Sequence, residues 1–142
     1  MKFDFSSLEF VTIENISVSS PILYINAKGI TFTRGALDYL NYSSHALFMI
    51  DVKNRVFAAR ACKSTDSKAF KLSKPKEEQK ATVFLSSKSL LEPIYKCIDN
   101  PITAGYRYKV TGFWVAEAKT LCFDLSEAVL EKCASKQTDK EP

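Results

Sequence analysis

Histidine is almost missing from this sequence: His45 is the single one among 142 residues. It follows Ser43-Ser44 in a loop, and adjacency in sequence does not make a nucleophile–base pair, which needs a base across space and a third group to orient it. No G-x-S-x-G, phosphate loop or H-E-x-x-H occurs, and the acidic residues are scattered singly. A non-enzymatic protein without a cofactor is therefore expected. The four cysteines, Cys62, Cys97, Cys122 and Cys133, are 35, 25 and 11 residues apart. With no C-x-x-C pair among them and His45 distant in sequence, no metal site is expected. Apolar runs of 18 or more residues are absent, so no membrane-spanning helix is expected. The opening MKFDFSSLEF lacks an apolar h-region and does not read as a signal peptide. These absences suggest a cytoplasmic protein with reduced thiols.

What is present is ordinary globular composition. Hydrophobic residues make up 46% and charged residues 25%, enough for a real core without disulfides or metals. The β-branched stretch Leu8 to Val18 predicts one or two strands. Ile22 to Arg60 then reads as two short hairpins joined by a short helix. Ile22–Ala27 and Ile30–Thr33 flank a Lys28-Gly29 turn, where glycine is expected to supply a positive φ. Thr33 is expected to cap a helix whose apolar stripe is Ala36, Leu37 and Leu40, with Asn41 as its left-handed terminator. Ala46–Asp51 and Arg55–Arg60 form the second hairpin.

A looser echo follows. Thr82–Leu85 reads as a strand, and Ser86 or Ser87 can cap a helix through Leu90, Leu91, Ile94 and Ile98, with Pro93 kinking it or shifting its start. Tyr106–Trp114 and Thr120–Leu125 make a last hairpin, and Ser126–Lys132 reads as a short helix. At an offset of 53, Ile30, Phe32, Thr33 and Leu37 fall on Val83, Leu85, Ser86 and Leu90. The expected fold class is thus α+β: antiparallel β-hairpins with two short helices, arranged as a duplicated strand–helix–strand–strand unit. One domain over 1–132 is expected, with half-units at about 22–60 and 81–125 and a disordered tail from 133 to 142.

The net charge of +4 is unevenly placed. Segment 61–80 has six lysines against three acidic residues, whereas 81–142 has eight of each sign. With Pro75 and few apolar residues, 61–80 reads as a long exposed connection. Basic residues also lie beside aromatic ones, most densely in Tyr106-Arg107-Tyr108-Lys109. On a strand the two tyrosines share one face and the two cations the other. Cations can follow phosphates and exposed rings can stack bases.

The order Lys28-Gly-Ile-Thr-Phe-Thr-Arg-Gly-Ala-Leu-Asp-Tyr-Leu-Asn41, then the 46–60 hairpin, resembles the AbrB/MazE/SpoVT swapped-hairpin family. The shared pattern is a glycine turn, a short apolar strand, a capped helix ending at leucine, and a hairpin with a polar turn. Thr33 stands where that family usually has proline, and Ile30 where it has a basic residue. The resemblance implies an interlocked dimer that binds DNA, with two copies per chain as in MraZ-type members. On that basis a DNA-binding transcriptional regulator is expected, with Lys28 and Arg34 at the family's contact positions; Arg55, Lys68, Lys71, Lys74, Lys76, Arg107 and Lys109 are the further cations expected to meet phosphates. Two other readings stand beside it. One is a module that recruits a protein partner through a sheet edge. The other is a Whirly-like single-strand binder that stacks bases on Tyr106, Tyr108 and Trp114.

Overall fold

The computed structural model describes residues 20–98 and 102–133, so the strands expected within Leu8 to Val18 and the tail from 134 onward lie outside it. The chain is α+β. Its strands are β1 (Ile22–Ile25), β2 (Ile30–Phe32), β3 (His45–Asp51), β4 (Val56–Cys62), β5 (Phe70–Lys71), β6 (Val83–Leu85), β7 (Tyr106–Val115), β8 (Thr120–Asp124) and β9 (Val129–Lys132). Helix α1 (Arg34–Tyr39) follows β2, and α2 (Lys88–Lys96) follows β6. All the strands join one curled sheet in the order β5-β3-β4-β8-β7-β1-β2-β6, with β9 on β7. Every pairing is antiparallel. No helix among the described residues is long and apolar enough to cross a membrane.

Local chemistry explains these elements, with two corrections. The β1–β2 turn is held by the Asn26 carboxamide, whose Oδ1 accepts from the amides of Lys28 (2.8 Å) and Gly29 (3.0 Å). Gly29 does not have the positive φ expected of it. It is needed for space, because a Cβ there would press on the Leu85 carbonyl and lie 2.7 Å from the Phe84 ring. Thr33 does sit at the N-cap of α1, but its hydroxyl makes no cap bond. Instead it donates to the Ile22 carbonyl (2.8 Å) and accepts from the Ile22 amide (3.2 Å), closing the β1–β2 hairpin. Asn41 ends α1 in the left-handed region at φ 58°, and Tyr42 continues it at φ 50°.

The pairing pattern survives exchange of the two halves. β1, β2, α1, β3 and β4 correspond in order to β5, β6, α2, β7 and β8. Under that exchange β1·β7 becomes β5·β3, while β2·β6 and β4·β8 each map onto themselves. Thr31 and Phe84 centre the β2·β6 register, which recovers the offset of 53. Matching the β3·β4 register to that of β7·β8 gives an offset of 64, which pairs Ala58 with its counterpart Cys122 in β4·β8; the offset grows because the segment between α2 and β7 is longer than that between α1 and β3. Two pairings among the described residues lack counterparts: β1·β2 has no β5·β6 equivalent, and β7·β9 has none on β3. Each half therefore completes its sheet with strands of the other.

The core lies inside the curl. Phe32 packs on Phe48, Phe57 and Phe123, at ring separations of 5.7, 6.4 and 6.2 Å. Leu90 and Ile94 of α2 line a groove with Phe70, Phe48 and Phe57, near the β5 end of the strand order. Pro93 lies within α2, which runs through it.

Two further expectations change. Segment 61–80 is not wholly an exposed connection. β4 continues to Cys62, β5 pairs with β3, and Leu72 and Ser73 are buried, their amides bonded to the carbonyls of Ser44 and Ser43. Ser126–Lys132 is not a helix. Asp124 caps a single 3-10 turn at Leu125–Glu127 by accepting from the Ser126 amide, and β9 then pairs with Tyr106–Lys109 of β7.

Candidate nucleic-acid interface

The exchange relation places two clefts at corresponding positions, each between a helix and the hairpin of the opposite half. Beside α2 the groove is apolar and measures about 180 Å³. Beside α1 the cleft is wider, about 560 Å³, and its walls are aromatic and charged.

Each wall of the second cleft has a local cause. Three backbone bonds close the end of α1: Asn41 to Asp38 (3.0 Å), Tyr42 to Leu37 (2.9 Å) and Ser43 to Leu40 (3.1 Å). This tight exit leaves Tyr39 at the cleft. Trp114 comes from the inward-facing set near the end of β7, and its ring meets Tyr39 at 5.6 Å with a 36° tilt. The β7–β8 connection is a 3-10 turn, Ala116–Ala118, ended by Lys119 in the left-handed region at φ 50°. Thr120 secures it by donating its hydroxyl to the Ala118 carbonyl (2.9 Å). That turn brings Glu117 and Lys119 to the rim, and β4 contributes Arg60. An aromatic pair, two cations and one carboxylate thus share one concave surface.

Of the residues expected to bind nucleic acid, Trp114 alone lines this cleft. Lys28 and Arg34 are exposed, in the β1–β2 turn and at the start of α1. Arg55 is half-buried in the β3–β4 turn at φ 58°, and its carbonyl accepts from the Leu125 amide (2.7 Å). Lys68, Lys71 and Lys74 are exposed along the β4–β6 connection, and Lys76 lies 3.7 Å from the Asp38 carboxylate. Arg107 sits 3.7 Å over the Tyr24 ring and donates to Glu131 at 2.8 Å, so its charge is already matched. Lys109 is exposed opposite Tyr24. The expected tyrosine platform is not formed, because Tyr108 is 8% exposed and belongs to the core while Tyr106 stays at the surface. Arg60, Lys119 and Tyr39 were not singled out in the sequence, since only the fold brings them to Trp114.

Burial pushes Cys97 and Cys122 above the ordinary thiol value, and burial followed by the Asp66 carboxylate does the same to Cys62. Among the described residues no group of histidine, cysteine and acidic side chains is placed to hold a metal ion. No family model, curated protein or solved structure matches the chain.

Proposed function

We propose that the protein is a non-enzymatic nucleic-acid-binding module that takes a single-stranded segment into the α1–β7 cleft. A base stacks on Trp114 beside Tyr39, while Arg60 and Lys119 hold the flanking phosphates. The observation that carries this reading is the meeting of an aromatic pair and two cations in one cleft of about 560 Å³. Stacking is tolerant of sequence because every base has a π-face, and it is worth about 1–3 kcal/mol per base. Glu117 repels phosphate, so the backbone runs along the Arg60 and Lys119 side of the rim.

Trp114 is the single tryptophan of the chain, so its fluorescence reports on the cleft directly. Titration with an unlabelled single-stranded oligonucleotide is expected to quench it, with an affinity that falls steeply as salt rises. Trp114→Ala should weaken binding, followed by anisotropy of a labelled strand, by about 5- to 150-fold. Arg60→Ala and Lys119→Ala should each flatten the salt dependence. Neither quenching nor an anisotropy change at low salt would sink this reading.

A second reading, a DNA-binding transcriptional regulator acting on duplex DNA, draws support from the interlocked, duplicated halves and from the exposure of Lys28 and Arg34. Replacing both cations with alanine should then weaken duplex binding while leaving Trp114 quenching by single strands unchanged.

A further inference from the structure

Antiparallel sheets that cover a core on one face usually carry polar residues on the other. Where β3, β4, β8 and β7 lie side by side, the outward face departs from that rule. A row of paired residues, Met49–Ala58–Cys122–Phe113, crosses all four strands. Met49 is 39% and Phe113 48% exposed. Leu47, Val56 and Val115 share this face by strand alternation, and its charges are Asp51, Arg60 and Asp124. It contains no lysine, although lysine is the commonest charged residue of the chain.

We propose that this face packs against the same face of a second copy of the chain. The patch is self-related: exchange of the halves interchanges Met49 with Phe113 and Arg60 with Asp124 about the central Ala58–Cys122 pair. The opposite charges therefore occupy opposite ends of the two central strands. Arg60 and Asp124 are one strand apart sideways, about 4.8 Å, and four residue steps apart lengthwise, about 14 Å. A twofold axis in the interface that sets Arg60 of each copy against Asp124 of the other crosses the two sheets at about 40°. Aligned sheet packing has a similar angle, about 30°. Small side chains at Ala58 and Cys122 let the sheets approach at the centre, where each Cys122 faces its own copy. Four strands by about five residues is a patch of roughly 19 by 17 Å, below the usual size of a stable interface. The dimer is accordingly weak, with a dissociation constant in the micromolar range.

Sedimentation velocity on the full chain from about 1 to about 300 µM brackets that range. A monomer–dimer equilibrium is expected, weakened at least tenfold by Phe113→Asp. Tyr106→Asp, an exposed aromatic away from this face, should leave the equilibrium unchanged. A bis-maleimide with a spacer of about 10 Å, the separation of packed sheets, should join two copies through Cys122. Cross-linking should be lost in Cys122→Ala and kept in Cys62→Ala and Cys133→Ala. Circular dichroism establishes that each variant is folded. A monomer at every concentration, or a dimer indifferent to Phe113→Asp and linked through another cysteine, overturns the proposal. Because Arg60 also lines the cleft, these tests rest on Phe113 and Cys122, which leave the nucleic-acid reading to stand or fall by itself.

Discussion

Gly112 faces Phe123 across the β7–β8 register, and a methyl group there would lie 2.7 Å from the Phe123 ring. That ring is fully buried and stacks on Phe57 at 6.1 Å, so it has little room to withdraw. Gly112→Ala should therefore cost about 1–3 kcal/mol. In urea this would appear as a lower unfolding midpoint with an unchanged slope. Residues of this kind explain why the site was harder to read than the fold. A glycine that makes room, or an arginine that reaches a cleft, looks in sequence like any other glycine or arginine. Arg60 and Lys119 are 59 positions apart and line one cleft only because β4 pairs with β8. Trp114 was legible as a candidate through its aromatic character, and Tyr108 misled because alternation alone does not say which face is the core.

Among the elements, α2 is tied to the first half by a hydrogen bond from the Tyr95 hydroxyl to the Asn26 carbonyl at 2.8 Å. Burial raises the Tyr95 pKa above its ordinary 10.0. The native state thus keeps a proton that the unfolded chain releases, and stability falls as pH rises past about 10. Tyr95→Phe should lower stability near neutrality by about 1 kcal/mol through the lost bond. It should also reduce the alkaline loss, which thermal melts between pH 8 and about 11 would register. Periodicity made α1 and the hairpins readable, since an i, i+1, i+4 stripe and strict alternation are local signals. β9 was misread for an equally physical reason. Ser126–Lys132 is rich in helix formers, but the free edge of β7 offers its backbone partners that an isolated short helix cannot match.

For the whole molecule, the decisive fact is that neither half completes its sheet alone. β4 needs β8, β1 needs β7 and β2 needs β6. Fragments divided in the exposed Ser64–Lys68 stretch, between β4 and β5, should each lack native far-UV circular dichroism and regain it when mixed in equal amounts. Native spectra from either fragment alone would show that the halves are independent. The offset of 53 hinted at this arrangement, but the exchange of strands is a long-range property that no local pattern encodes. It has a consequence for synthesis. A ribosome delivers the first half complete, with the edges of β1, β2 and β4 bare, well before β8 emerges at Thr120–Asp124. During that interval the nascent chain has its β1–β2 and β3–β4 hairpins but no native partner for those edges, so completion of the sheet waits on translation, and those edges are where a chaperone would be needed.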